Sequence, residues 1–477
     1  MNALRKLIKK YSNMSVVMRA SMVYLLVSVL QKGLGFITSP IYTRMLSSAE
    51  FGIVNVFLSM EQLIGTIAMF CLSAGCFDIG MQDYKRDRDS FCFSLLVLSN
   101  SITIVTGVIL FAGYSFFGSY IEVSRHLLLL MFVIFLTQPA FLFWTRKERF
   151  EYNYRIPGIL TAVSSVLSCV SAIICISIFS DNKVDARLFG QYAPLIILYI
   201  VFWFYLAKRA RFRIKKEYIK FAFLFNLPLI PHYLSSYVLN ASDRLMIDSL
   251  VGHSQAGYYS LAYSVSALVT IIWTAINSSM VPYILDKYEK KEYSKANSFV
   301  LPILVFFSVA CLVFILVAPE LIGILGTDEY KEAMYVIPPV IAGCFFQALY
   351  YVFTNVLYYL KKPRIVMYAS VISAVLNIVL NYFCIQLFGY IAAGYTTLIC
   401  FALQAIVDYG IVKRIMGMSV YNGRFLFLLS LVVIIVSLLC NLLYSFIVVR
   451  YVILCCVLIA LWIKRKYIFR LLKKNDK

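Results

Sequence analysis

Apolar residues run in stretches of about 20 or more from Val16 to Trp462, broken by short polar and basic segments. A stretch of that length crosses the hydrocarbon core of a bilayer as a helix. Fourteen are predicted: 17–42, 51–77, 91–118, 126–144, 156–180, 188–207, 221–247, 255–284, 298–319, 333–360, 365–387, 391–412, 425–446 and 449–463. Several exceed the crossing length, which predicts tilt or extension into the headgroups. Alternating segments of about ten residues, the mark of a membrane β-barrel, do not occur. The predicted fold class is an all-α polytopic membrane protein.

Charge tests the count. With the N-terminus inside and the loops alternating, 35 of the 44 Lys and Arg residues fall in inside segments. Six fall outside (Arg44, Arg125, Lys183, Arg187, Lys331 and Arg450), and Arg19, Lys32 and Arg244 fall within spans. The positive-inside rule is met at every loop, which predicts cytoplasmic termini. The net charge of +21 is therefore topological and predicts no nucleic-acid partner. Apolar residues make up 62% of the chain and charged ones 14%, far from the soluble norm of about a quarter charged. No loop forms an extramembrane domain, and no phosphate-binding glycine loop is present. The twelve cysteines lie in or beside spans without CxxC spacing, so neither disulfide nor metal site is expected.

The basic connection 208–220 divides spans one to six from seven to twelve. The predicted domains are 1–207, the linker 208–220, 221–416, and 417–477 with two further spans and a basic tail. An internal repeat supports the division. An offset of 205 pairs Gly52 with Gly257, Ser59 with Ser264, Leu63 with Leu268 and Ile67 with Ile272. Two halves of six spans each have the same orientation, as in transporters with parallel repeats.

Polar residues inside spans carry the candidate chemistry, because a charge at the bilayer centre costs about 3 kcal/mol. Ser28, Lys32, Gly35 and Ser39 share one face of span one; His232, Ser236, Asn240 and Asp243 share one face of span seven. These stripes are expected to face a wet cleft lined by both halves. Gln31 and Lys32 make one cluster of it. Arg44 either caps span one or serves as a cavity cation; Arg244 either pairs with Asp248 at i,i+4 or faces the cavity. Glu61, alone within span two, is the coupling-ion candidate, with Lys32 its expected partner. Asp78 and Asp408, toward the inner ends of spans, read as structural. Pro228 and Pro231 predict a bent span seven; Pro302 in span nine and Pro338 and Pro339 in span ten each remove a helical hydrogen bond, which kinks or breaks a helix.

The run Gly33-Leu-Gly-Phe-Ile-Thr-Ser-Pro-Ile-Tyr-Thr-Arg-Met-Leu-Ser-Ser-Ala-Glu-Phe-Gly52, with Asn240-Ala-Ser-Asp243-Arg244-Leu-Met-Ile and Gly257-Tyr-Tyr-Ser, resembles bacterial polysaccharide repeat-unit flippases of the O-antigen, Wzx type. These belong to the multidrug/oligosaccharidyl-lipid/polysaccharide exporter superfamily. The resemblance covers residues 15 to 415. It implies two pseudo-symmetric six-helix lobes around a central cavity, alternating access, and a polyprenyl-diphosphate-linked glycan as cargo. Lys32, Arg44 and Arg244 would then hold the diphosphate, with Gln31, His232, Asn240 and Asp243 as polar cavity residues. No cofactor, metal or covalent step is implied. Membrane lipids and the pathway's polymerase and chain-length proteins are the implied partners, and the bacterial inner membrane the location. A drug antiporter and a peptidoglycan-precursor flippase of the same superfamily are the alternatives. A membrane glycan polymerase would require a sizeable outer loop, which the chain lacks.

Overall fold

A computed structural model describes residues 16–73, 75–114, 124–417 and 420–459. Every regular element among them is helical. Contacts divide the chain into two units, Met1–Tyr237 and Val238–Lys477. In the first, α1 (Val16–Met45), α2 (Ser48–Ala68), α3 (Cys76–Asp83), α4 (Arg88–Ala112), α5 (Arg125–Phe150), α6 (Arg155–Ile178), α7 (Lys183–Arg209) and α8 (Lys216–Asn226) lead into α9 (Ile230–Leu250), within which the division falls. The second continues with α10 (His253–Glu289), α11 (Tyr293–Leu316), α12 (Ala318–Leu325), α13 (Ile337–Tyr359), α14 (Pro363–Phe388), α15 (Ala392–Met416), α16 (Gly423–Leu443) and α17 (Ile447–Ile459).

Twelve helices among the described residues are long and apolar enough to cross a membrane. They answer to twelve of the fourteen expected spans. The expected span 449–463 begins as the shorter apolar helix α17, and residues 460–463 lie outside the described ones. The expected span 221–247 is broken into α8, a 3-10 turn at Leu227–Leu229, and α9. Pro228 removes a helical donor at this break. Pro338 and Pro339 fall where the 3-10 helix Asp328–Val336 passes into α13. They occupy the first turn of α13, where the missing N–H costs nothing.

The repeat offset of 205 reappears in the helix ends. It carries Met45, the end of α1, onto Leu250, the end of α9, and Ser48, the start of α2, onto His253, the start of α10. The first of these turns is closed by a capping box: Ser47 N donates to Glu50 Oε2 at 2.8 Å, and Glu50 N to Ser47 Oγ at 3.3 Å.

In unit 1, α8 packs on α4 and α3, and its start is clasped outside the spans. Lys215 Nζ lies 2.6 Å from Asp87, and the Tyr218 hydroxyl donates to the same carboxylate at 2.8 Å. Partial burial pulls the Asp87 carboxyl up, but hydrogen bonds from Lys215, Ser90 and Tyr218 outweigh it and hold it below its usual range. The clasp is therefore complete above the unfolded carboxylate's pKa of about 4 and is lost as pH falls through the lower folded value.

The predicted span 51–77 also breaks. α2 ends at Ala68, and Phe70 (φ 55°), Cys71 (φ 46°) and Gly75 (φ 59°) take left-handed conformations before α3. Backbone groups freed inside a membrane need partners. The wholly buried Asn226, last residue of α8, donates to the Phe70 carbonyl at 3.0 Å, and the Phe70 and Phe223 rings stack at 5.1 Å. Asn226→Leu strands that carbonyl. It is expected to cost about 1–3 kcal/mol, read as a lower thermal midpoint of the purified chain in detergent. An unchanged midpoint would show that this bond holds nothing.

Unit 2 is built around α13, the most buried of the spanning helices, which packs on α15, α10, α16 and α11. The two last helices are tied into it. Arg450, expected in an outer loop, is 3% exposed and donates to both Glu320 carboxylate oxygens (2.7 and 2.5 Å) and to the Leu316 carbonyl (3.0 Å). Burial pushes the Glu320 carboxyl up, but Arg450, its backbone and Tyr451 outweigh this and hold it below its usual range.

Candidate functional site

In unit 1 the break after α2 leaves a cavity of about 340 Å³. Glu61 and Gln62 of α2, Cys71 and Ser73 of the break, Gln138 of α5 and Tyr237 of α9 supply its polar lining. Glu61 accepts a hydrogen bond from the Tyr192 hydroxyl of α7 at 3.4 Å. Among the described residues it makes no ion pair, so the expected partnership with Lys32 is not formed. Lys32 is exposed on α1, a helix with little of its surface buried inside the chain. Beside it, Gln31 Nε2 donates to Ser165 Oγ of α6 at 3.1 Å. Arg44 donates to the Pro40 carbonyl at 2.7 Å.

Sequence reasoning missed a buried cation in this unit. Arg187 of α7 is 8% exposed, with its guanidinium 3.8 Å from the centre of the Tyr42 ring and in contact with the Gln191 carboxamide. Counting it as an outer-loop residue hid it, because its ring partner lies on α1.

In unit 2 the stripe on α9 divides. His232 is half-buried, and its Nδ1 makes no hydrogen bond among the described residues. Asn240 Oδ1 accepts from the Tyr263 hydroxyl at 3.4 Å, and Arg244, one turn on, lies over the same ring at 4.5 Å. A half-buried guanidinium is thus held by an aromatic face beside a carboxamide. Asp248, on the same helix, lies 2.6 Å from His253 Nδ1.

Asp243 departs from the expected open stripe. It is 1% exposed and sits inside the helix packing. Its Oδ2 accepts from Tyr259 (2.6 Å) on α10 and Thr397 (2.8 Å) on α15, and its Oδ1 from Asn381 (2.7 Å) on α14. Asn377 extends the network, donating to Thr397 at 3.1 Å and accepting from Ser242 at 3.3 Å. The physical reason is saturation: a buried carboxylate persists when donors meet its oxygens. The arrangement holds one negative charge by neutral donors from three helices. Asn377 and Asn381 stand four residues apart on α14: Asn381 donates to Asp243 directly, and Asn377 reaches it through Thr397.

Asp408 of α15, read as structural toward the end of a span, is wholly buried, and neither carboxylate oxygen has a hydrogen-bond partner among the described residues. Among those residues no group of His, Cys, Asp and Glu is arranged to hold a metal ion.

Membrane-spanning helices, a repeat with matched helix ends, and charged or polar groups held inside the spans now define what is compared. The family model described as polysaccharide biosynthesis protein matches residues 17–287, more than half of the chain. The chain belongs to the polysaccharide biosynthesis protein family. A second model, MatE, matches residues 228–383. Among curated relatives of this family member, the "Probable low-salt glycan biosynthesis flippase Agl15" of Haloferax volcanii is 27% identical over 183 residues, 36% of this chain and 38% of that protein. A Haemophilus influenzae protein named for the Lsg locus is 21% identical over 226 residues, 45% of this chain and 55% of that one. The chain thus spans between a third and little more than half of these relatives' lengths. Among solved structures, the lipid II flippase MurJ in an inward closed conformation has a TM-score of 0.66 at 13% identity, covering 94% of this chain and all of that one. An inward-facing multidrug resistance MATE transporter has a TM-score of 0.62 at 13% identity, covering 83% and 98%. The polysaccharide biosynthesis protein therefore has the fold of the multidrug/oligosaccharidyl-lipid/polysaccharide exporter superfamily.

Proposed function

We propose that this chain is a flippase that moves polyprenyl-diphosphate-linked oligosaccharide units from the cytoplasmic to the outer leaflet of a bacterial inner membrane, for surface polysaccharide assembly. The family match over residues 17–287 carries the reading, and the name of the Haloferax relative supports it. Arg244, set over Tyr263 beside Asn240, suits a sugar-linked phosphate: a planar cation for the anion, an aromatic face and an amide for the sugar. Lys32, exposed on α1, is the second candidate. Lipid transfer between leaflets breaks no covalent bond, so the chain is a transporter and needs no catalytic group.

Arg244→Ala and Lys32→Ala are each expected to abolish surface glycan while the protein remains in the membrane at normal abundance. Arg244→Lys is expected to restore only part of the activity, because an ammonium lacks the planar fork and the ring stacking. Normal glycan from both alanine variants would refute the assignment of these cations. Rescue of a strain lacking its peptidoglycan-precursor flippase would shift the cargo to that lipid.

A further inference from the structure

A cavity in unit 2 is not used by this reading. It measures about 790 Å³ and is walled by three segments: the start of α11 with Tyr293 and Asn297, the end of α15 with Tyr409 and Lys413, and the start of α16 with Gly423 and Arg424. Its lining contains two cations and no carboxylate. Neighbouring lysines are matched: Lys287 with Asp286 and Glu292, Lys290 with Asp286, and Lys295 with Glu292. Among the described residues Lys413 and Arg424 take part in no ion pair.

The walls are built, not incidental. Behind the cavity the Tyr288 and Tyr421 hydroxyls meet, with Tyr421 1% exposed, and Phe353 packs on both Tyr409 (5.5 Å) and Tyr421 (6.1 Å). Asn422 N donates to Asn297 Oδ1 at 3.0 Å, which joins α16 to α11, and Asn422 Oδ1 caps Phe425 N at 3.2 Å. A Cβ at position 423 would come within 2.1 Å of the Tyr409 hydroxyl, so a larger residue there displaces that ring. This close approach brings that hydroxyl to the start of α16, where first-turn amides add positive potential to that of Lys413 and Arg424. From the cavity α16 runs on with an exposed apolar face, including Phe427 at 68% and Leu428 at 59%.

We infer that this cavity binds the phosphate headgroup of an anionic membrane lipid, whose acyl chains lie along the exposed face of α16. Among the described residues the lining brings two cations that make no ion pair, tyrosine hydroxyls and the start of α16 to one volume, and no carboxylate lines it. The apolar face favours a lipid over a soluble phosphate. The charge bias assigns Lys413 and Arg424 to the cytoplasmic side, where basic pockets between spans meet anionic headgroups. The lipid phosphate has two possible sources, a bulk phospholipid or a polyprenyl phosphate, and the inference does not depend on the proposed cargo.

The test is native mass spectrometry of the full-length chain titrated with phosphatidylglycerol, phosphatidylcholine or undecaprenyl phosphate. The wild type is expected to retain the anionic lipids in preference to phosphatidylcholine. Lys413→Gln with Arg424→Gln should weaken that retention about 10- to 30-fold, whereas Lys361→Gln with Lys362→Gln, equal in charge removed, should not. Gly423→Ala, which leaves both cations in place, should also weaken it. Thermal midpoints matched to wild type confirm that the variants are folded. Tighter retention of phosphatidylglycerol identifies a bulk phospholipid and tighter retention of undecaprenyl phosphate a carrier lipid; either upholds the pocket. Equal retention of phosphatidylcholine, or equal losses in the two double variants, overturns it.

Discussion

Asp243→Ala is expected to destabilise unit 2 by roughly 3–9 kcal/mol, enough to remove most of a typical domain's stability of about 5–15 kcal/mol. The figure follows from what is left behind. Tyr259, Thr397 and Asn381 all direct donors at Asp243 from three other helices, and all are buried. With the carboxylate gone, each donor bears a desolvation cost of about 1–3 kcal/mol. Asp243→Asn separates charge from geometry. Its amide keeps one acceptor oxygen, and the Tyr259 and Thr397 hydroxyls can rotate to accept from the new NH2 group. This variant is expected to lose only about 1–3 kcal/mol. Thermal unfolding of both proteins in detergent makes the comparison. An alanine variant that melts with the wild type would show that water already serves those donors. An asparagine variant that folds normally yet exports no glycan would give the charge a part in transport.

What the sequence disclosed and what it hid divide along one physical line. Membrane spans are local: each must be a long apolar run because lipid offers its backbone no partners. The expected 365–387 accordingly falls within α14, and 391–412 within α15 but for its first residue. The 205-residue repeat is likewise a property of order along the chain, and it lands on helix ends. Long-range pairs leave no such trace. Nothing in the neighbourhood of Asn226 shows that it will satisfy the carbonyl of Phe70, or that Arg187 will lie against Tyr42. Whether the prolines at 338 and 339 start a helix or lie inside one is not written in their own composition, because the two cases differ only in where the helix begins. Asp243 stood out as a polar residue in a span, but a stripe on one helix does not reveal whether lipid, water or three other helices face it.

Lys147 carries the same lesson into the second large effect. By charge counting it is one more cytoplasmic-loop lysine. In the structure its side chain is 3% exposed, 2.5 Å from Asp89 and 3.6 Å from Glu151. Asp89 has a second cation, Arg209, at 3.6 Å, and is 29% exposed. The pair is therefore asymmetric. Lys147→Met buries a thioether of similar volume and leaves Asp89 with Arg209 and solvent, so it is expected to cost less than about 1.5 kcal/mol. Asp89→Asn with Glu151→Gln leaves an ammonium buried and uncompensated, which costs about 3–5 kcal/mol. Adding Lys147→Met to that double variant removes the stranded charge and is expected to recover most of the loss. Thermal midpoints of the single, double and triple variants in one detergent give the cycle. A triple variant no more stable than the double would mean that Lys147 is not the charge these carboxylates neutralise, and that the inner ends of α4 and α5 are joined by packing alone.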